Sequence, residues 1–186
     1  RRRKGAGSPD AMDDAPVLDG FSQPLVAVDD EGRLFLSAAI LDWAPIHEAG
    51  ISVVVDLEGG LDHGVSTQPG HMLYVYFHIH DGGLPPLDRL EAVARLCAQL
   101  VATGNRVLVH CLMGLNRSAL VAGLALRHFG LTGAEAVARL KQRRPGALYN
   151  DVFADYLGGL PAAEPLAGPA GGATMGPGSV ARELGA

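Results

Sequence analysis

Apolar residues occur along this chain in two patterns, as short continuous runs and as longer stretches with helical spacing. Three runs rich in β-branched or aromatic residues predict buried strands, at 51–57, 73–79 and 107–109. Two earlier runs, 25–28 and 34–36, flank an acidic turn that contains glycine, and they predict a β-hairpin.

Helical spacing, together with the residues at each end, predicts helices at 38–46, 88–103, 117–129 and 132–143. Ser37 is expected to cap the first of them, although Pro45 interrupts it, and a last short helix begins at Asn150 or Asp151. Apolar strands that alternate with helices predict an α/β fold. We expect a central, largely parallel (mixed) sheet of about five strands, flanked by helices.

The two ends of the chain lack any periodicity and differ from its middle in composition. Residues 1–20 are rich in Gly, Pro and charge, and residues 159–186 in Gly, Pro and Ala, so both are predicted to be disordered. A single folded domain is expected over 21–158. The basic start, Arg1 to Lys4, admits a nuclear or anionic-surface signal, but a solvated or vector-derived tail is the simpler interpretation.

Composition narrows the classes of function. A net charge of −5 gives no electrostatic footprint for nucleic acid. Two cysteines do not make a disulfide framework and favour a reducing compartment. No apolar run approaches the ~20 residues that cross a bilayer, and no secretory signal opens the chain. We therefore expect no nucleic acid and no membrane partner, and a cytoplasmic protein, with the nucleus as an alternative.

Candidate chemistry is concentrated in residues 107–118. The strand ends in His110-Cys111, a loop of five residues follows, and Arg117-Ser118 opens a helix. Backbone N–H groups at a helix amino terminus bind oxyanions, and the same field favours a thiolate, so Cys111 is a candidate nucleophile. Asp81 also lies just beyond the end of a predicted strand, where ligands bind in such sheets.

His110-Cys111-x5-Arg117-Ser118 resembles the signature of the cysteine-dependent protein phosphatases, and the short chain looks most like their atypical dual-specificity branch. Residues 76–81, followed by Gly-Gly and Pro, are similar to the strand and loop that deliver the family's general acid. Residues 50–57 look like its early core strand, and Arg144-Pro145 is similar to the start of its closing segment. The resemblance implies a protein-tyrosine-phosphatase-like fold over about 22–158.

The resemblance also implies roles for the residues of this stretch. Cys111, with a depressed pKa, would attack phosphorus and form a phosphocysteine, and Arg117 would clamp the phosphate. Asp81 would protonate the leaving group and then activate water, while Ser118 would hydrogen-bond the sulfur. The phosphate would be bound by the backbone of the loop together with Arg117: Leu112, Met113, Gly114, Leu115 and Asn116.

Two further residues of the stretch are assigned supporting roles. His110 is expected to orient the loop, and Asn116 to stabilise it. This chemistry requires no metal and no cofactor, and the oligomeric state stays open.

Neutral side chains at Leu112, Met113 and Leu115 bear on the substrate. Related phosphatases of phosphoinositides tend to carry lysines there, so the neutral loop favours a phosphorylated protein, with phosphotyrosine and some phosphoserine or phosphothreonine as substrate. Three alternatives stay open. They are a low-turnover phospho-ligand binding module, a phosphatase of a nucleotide, RNA 5′ end or inositol phosphate, and a rhodanese- or arsenate-reductase-like use of the loop.

Several candidate residues have a plainer structural interpretation. Asp81 is also compatible with an ordinary Asp-Gly turn. Cys97 falls on the apolar face of its helix, which favours core packing over a redox partnership with Cys111, and Trp43 is most simply a core residue. The remaining polar candidates lack metal-ligand spacing and are interpreted as solvated: His63, His71, His78, His80 and Asp62.

Overall fold

The structure, a computed structural model, describes residues 24–166. The predicted N-terminal arm at 1–20 therefore lies outside the described residues, as does the predicted tail from residue 167 onward. Within the described range, none of the helices is both long and apolar enough to span a membrane.

Five strands form one sheet: β1 (Val26–Ala27), β2 (Leu34–Ser37), β3 (Val53–Asp56), β4 (Leu73–Tyr76) and β5 (Val107–His110). Their spatial order is β1-β2-β5-β3-β4, with β1 antiparallel to β2 and all other pairs parallel. This confirms the predicted mixed, largely parallel sheet. β5 lies at its centre, and every residue of β3 and β5 is buried, which explains their unbroken apolar sequences.

Five helices accompany the sheet: α1 (Ala44–Glu48), α2 (Leu87–Ala102), α3 (Arg117–Arg127), α4 (Gly133–Arg143) and α5 (Asp151–Gly158). α3 packs against α2, α4 and α5 as well as against β2 and β5. All of its residues are buried, because its sequence is apolar on nearly every side. It is the central helix that the sequence predicts, and its amino terminus follows directly on the loop after β5.

The starts of the last two helices are fixed by side-chain caps. Thr132 accepts a hydrogen bond from the backbone N–H of Glu135, whose carboxylate in turn accepts from the N–H of Thr132. The side chain of Asn150 accepts from the N–H of Val152. Such caps stabilise a helix by about 1 kcal/mol each, and both lie where the sequence places them.

The predicted helix at 38–46 is wrong over its first six residues. Ser37 is the last residue of β2, and its hydroxyl donates to the carbonyl of Ala38 instead of capping a helix. The chain stays irregular up to Ala44, and α1 begins there with Pro45 in its first turn. A proline is tolerated only in the first turn, because it lacks an N–H and clashes with the preceding turn, so the helix begins where Pro45 permits.

Residues 159–166, assigned by composition to the disordered tail, lie against the end of α3 and the start of α4. The guanidinium of Arg127 donates to the carbonyl of Pro161 at 2.8 Å. The backbone N–H of Gly133 donates to the carbonyl of Leu160, also at 2.8 Å. Contacts with the folded domain therefore continue past residue 158.

Candidate active site

Cys111 lies at the carboxyl end of the central strand, just before the loop that leads into α3. It is buried, and its Sγ lies 3.5 Å from the Oγ of Ser118, within hydrogen-bond distance for sulfur. The short loop between β5 and α3 forces this approach, since it returns the chain to the end of the strand it has just left. The structure thus places the Cys111 sulfur next to the Ser118 hydroxyl.

The loop over 112–116 is held by its carbonyl groups. Three of them accept hydrogen bonds from outside the loop: Leu112 from Ala39 N–H (3.2 Å), Met113 from the Arg144 guanidinium (3.0 Å) and Leu115 from Leu148 N–H (2.8 Å). Within residues 24–166, the N–H groups of 112–116 have no protein acceptor. Together with the amino terminus of α3, these free donors form a cradle suited to an oxyanion.

Gly114 permits the loop to approach β2 closely. Its φ is +63°, and a Cβ at this position would overlap the carbonyl group of Ser37. Any other residue would therefore push the loop away from the end of β2, so glycine is required here for both conformation and space.

Arg117 is buried and its planar fork is only partly occupied. Nη1 donates to the carbonyls of Leu57 (3.4 Å) and Ile79 (3.3 Å), and Nη2 lies 2.9 Å from a carboxylate oxygen of Glu58. Nε is buried without a partner among the described residues. These contacts hold the guanidinium at the first residue of α3 and leave Nε without a partner among the described residues.

Asp81 is tied directly to the loop after β5. The side-chain amide of Asn116 donates to both of its carboxylate oxygens at 3.1 Å, and that of Asn150 donates to one at 3.3 Å. The Oδ1 of Asn116 accepts from the N–H of Asn150 at 3.1 Å. Asn116 therefore joins the loop that carries Asp81 to the loop before α5.

His110 belongs to a buried polar cluster behind Cys111. Its Nε2 lies 2.9 Å from a carboxylate oxygen of Asp62 and 3.7 Å from one of Asp56. The hydroxyl of Tyr74 lies between the two carboxylates, 2.5 Å from Asp56 and 3.1 Å from Asp62. Burial and the bond to Asp56 raise the pKa of the Tyr74 phenol, so it remains a protonated donor at neutral pH.

This cluster is also where the described residues come nearest to a metal-ligand set. Asp56, Asp62 and His110 offer ligand atoms within 4.8 Å of one another. The Tyr74 hydroxyl already contacts both carboxylates, and one oxygen of Asp56 accepts from the N–H of Glu58 at 2.8 Å. Both carboxylates therefore already accept hydrogen bonds, and the Nε2 of His110 lies within ion-pair distance of each.

Tyr74→Phe is expected to lower the free energy of unfolding by about 2 kcal/mol, because it removes the hydroxyl shared by two largely buried carboxylates. Tyr76→Phe is the matched control. Its hydroxyl accepts only the N–H of Gly60, at an exposed site, so we expect a loss of about 0.5 kcal/mol or less. Urea unfolding of both variants measures the difference, and equal losses would contradict the role given to Tyr74.

The other candidates from the sequence lie apart from Cys111 or serve packing. Cys97 is fully buried, its burial raises its pKa to about 12, and both cysteines are free thiols. Trp43 is half-buried and donates to the carbonyl of His63 at 2.7 Å. Of the polar group interpreted as solvated, the four histidines are exposed, whereas Asp62 turns inward to His110.

Three residues at the site were missed as site residues by sequence analysis. Glu58 follows β3 directly, so the strand-end rule that selects Asp81 could have found it. Asn150 was predicted only as a helix start. Arg144 has no comparable signal: it is buried, burial lowers the pKa of its guanidinium, and the charge of the nearby Cys111 partly opposes that shift.

Known proteins resemble this chain in sequence and in structure. The model of the dual specificity phosphatase catalytic domain matches residues 35–158. The structure of human DUSP28 covers 73% of this chain and 90% of its own, with 29% identity and a TM-score of 0.62. A mouse putative dual specificity phosphatase, complexed with zinc tungstate, covers 81% and 90%, with 25% identity and a TM-score of 0.61. A search of curated protein sequences gave no significant match.

Proposed function

Because this chain belongs to the dual specificity phosphatase family, we propose that Cys111 is its nucleophile, Arg117 its phosphate clamp and Asp81 its general acid. The family makes the chain a cysteine-dependent protein phosphatase, a hydrolase of phosphorylated protein. The observation that carries the assignment is the link through Asn116, which holds the Asp81 carboxylate beside the loop of Cys111. We propose a catalytic domain over residues 21–158, against which residues 159–166 pack.

In the first step of the proposed reaction, the cradle and the Nε of Arg117 bind the phosphoryl oxygens. The Cys111 thiolate attacks phosphorus, an S–P bond forms, and the bond from phosphorus to the substrate oxygen breaks. Asp81 gives its proton to that leaving oxygen. The donors of the cradle stabilise the charge that spreads over the transferred group.

In the second step, water attacks the phosphocysteine. Asp81, now a carboxylate, accepts a proton from the water, the S–P bond breaks and inorganic phosphate leaves. Ser118 lies at hydrogen-bond distance from the sulfur and stabilises the departing thiolate. A tetrahedral oxyanion, tungstate, is named in the complex of the mouse relative, which supports a site for phosphate in this fold.

For the substrate, we propose phosphotyrosine, with phosphoserine and phosphothreonine as further substrates. The side chains at 112, 113 and 115 are neutral, so the loop offers no cation to the additional phosphates of an inositol phosphate, nucleotide or RNA 5′ end. A panel of phosphopeptides, nucleotides and inositol phosphates separates protein from non-protein substrates. Faster hydrolysis of any polyphosphorylated small molecule would overturn this part of the proposal.

Asp81→Asn is expected to lower kcat about 10²-fold on an aryl phosphate with a poor leaving group, because no acid then protonates the departing oxygen. The alkaline limb of the pH–rate profile should disappear with it. Asp151→Asn is the matched control, since that aspartate is exposed in the first turn of α5 and, within residues 24–166, its side chain forms no hydrogen bond. Steady-state rates across pH measure both variants, and an unchanged Asp81→Asn profile would place the acid elsewhere.

A further inference from the structure

Large apolar side chains are exposed on each of five loops near Cys111. Four of the loops follow β2, β3, β4 and β5, and the fifth joins α4 to α5. The exposed residues, which we call the apolar rim, are Leu41, Leu61, Leu84, Leu112 and Tyr149. Between 36% and 79% of each is exposed. An apolar surface of this kind on a folded domain commonly marks a binding site.

These five loops meet around the cradle. The four strands are parallel, so their carboxyl ends lie at one edge of the sheet. Hydrogen bonds and an ion pair then join each loop to another: Ala39 to Leu112 (3.2 Å), Glu58 to Arg117 (2.9 Å), Asn116 to Asp81 (3.1 Å) and Asn150 to Asp81 (3.3 Å). The rim residues therefore lie on loops that border the place where a substrate phosphate would bind.

The same loops carry no exposed lysine or arginine, since Arg144, in the loop between α4 and α5, is buried. Neither lysine nor arginine occurs in 38–43, 57–72, 77–86, 112–116 or 145–150. These segments carry four acidic residues, Asp42, Glu58, Asp62 and Asp81. The two cations next to the cradle, Arg117 and Arg144, are buried and already bonded to the protein. A substrate thus meets an apolar surface without exposed lysine or arginine around a single anion site.

We propose that the apolar rim selects protein segments in which a single phosphotyrosine is flanked by apolar residues and not by acidic ones. This inference rests on the proposed function, because it describes the substrate of the same site. Apolar flanking side chains gain by burial against the rim, whereas acidic ones would find no exposed lysine or arginine on these loops to pair with. The lack of exposed lysine and arginine also disfavours a lipid phosphate at an anionic bilayer surface.

Three phosphotyrosine peptides of equal length test the inference, with leucine, alanine or glutamate at the two positions on either side of the phosphotyrosine. We expect kcat/KM to fall by about tenfold from the leucine to the glutamate peptide, with alanine between them. p-Nitrophenyl phosphate, which has no flanking residues, reports on the proposed function alone. If the protein does not hydrolyse p-nitrophenyl phosphate, the proposed function itself is wrong. If kcat/KM is equal on all three peptides, the selectivity proposed for the apolar rim is wrong.

Two rim variants, Leu41→Lys and Leu61→Lys, test the surface itself, since both side chains are highly exposed and their replacement should not disturb folding. Each should raise the glutamate-to-leucine ratio of kcat/KM about fivefold and leave p-nitrophenyl phosphate hydrolysis unchanged. Phe129→Lys is the matched control. This exposed residue lies just beyond the carboxyl end of α3, a helix about 16 Å long whose amino end follows the loop after Cys111. Its replacement should leave the ratio unchanged.

The glutamate-to-leucine ratio of kcat/KM in the rim variants and in the control decides whether the inference holds. A ratio that shifts in the rim variants but not in Phe129→Lys supports the inference. A ratio that does not shift in either rim variant, or that shifts equally in the control, contradicts it. Vesicles containing phosphatidic acid, a lipid phosphate monoester, are assayed beside the peptides. Faster release of phosphate from the vesicles than from the leucine peptide would also contradict the inference.

Discussion

Cys111→Ser is expected to lower the hydrolysis of p-nitrophenyl phosphate by about 10⁴-fold or more, because a serine hydroxyl at this position is not ionised and is a far weaker nucleophile than a thiolate. The cradle does not use the sulfur to hold the anion. Its N–H donors and Arg117 remain, so phosphate or vanadate should still bind. Steady-state kinetics measure the loss of hydrolysis, and calorimetric titration with vanadate measures the retained binding of the anion.

Cys97→Ala is the matched control for that result. Cys97 is fully buried in α2, and its raised pKa keeps the thiol protonated at neutral pH. Its replacement should lower the free energy of unfolding by about 1 kcal/mol through a small cavity and leave kcat unchanged. Substantial activity in Cys111→Ser, or loss of activity only in Cys97→Ala, would remove Cys111 from the mechanism.

Arg117→Lys is expected to lower kcat/KM by about 10³-fold, although the charge is conserved. The guanidinium contacts two carbonyls and Glu58 while its Nε stays free for the phosphoryl group. A lysine ammonium is a single point of charge and cannot hold these partners and the anion together. Phosphate affinity should also weaken, since the anion loses a donor fixed in place.

Arg127→Lys makes the same change at the other end of the same helix. Arg127 is buried to a similar degree and pairs with Glu91 at 3.3 Å and with the carbonyl of Pro161, away from Cys111. Its replacement should cost stability and leave kcat/KM per folded molecule unchanged. If both variants lose activity equally, the loss in Arg117→Lys is structural and the clamp is not supported.

The sheet and most helices were predictable because each rests on a local pattern. β3 and β5 are fully buried and therefore read as unbroken apolar runs, and α3 is buried on all sides. Thr132 and Asn150 cap helices through contacts within three residues. The helix predicted at 38–46 is wrong over its first six residues because the contact that fixes this segment is not local. Ala39 bonds to Leu112, which lies far along the chain, and no local pattern reveals that contact.

The same division holds at the candidate site. Cys111, Arg117 and Ser118 lie within eight consecutive positions, so their spacing alone places them together. The partners of His110 do not, because Asp56 and Asp62 reach it from β3 and from the loop after β3, and Tyr74 contacts both carboxylates from β4. Asp62 was interpreted as solvated since it stands in a polar loop. Its inward position depends on tertiary packing that one sequence does not display.

In the proposed mechanism, the phosphoryl group passes through a covalent bond to Cys111. Asp81→Asn is the form in which to look, because slow activation of water should let the intermediate accumulate. The measurement is acid quenching within milliseconds of mixing with an aryl phosphate, followed by peptide mass spectrometry. We predict one phosphoryl group on the peptide that contains Cys111 and none on the peptide that contains Cys97. Product release with no phosphorylated Cys111, at any time before the steady state, would contradict the mechanism.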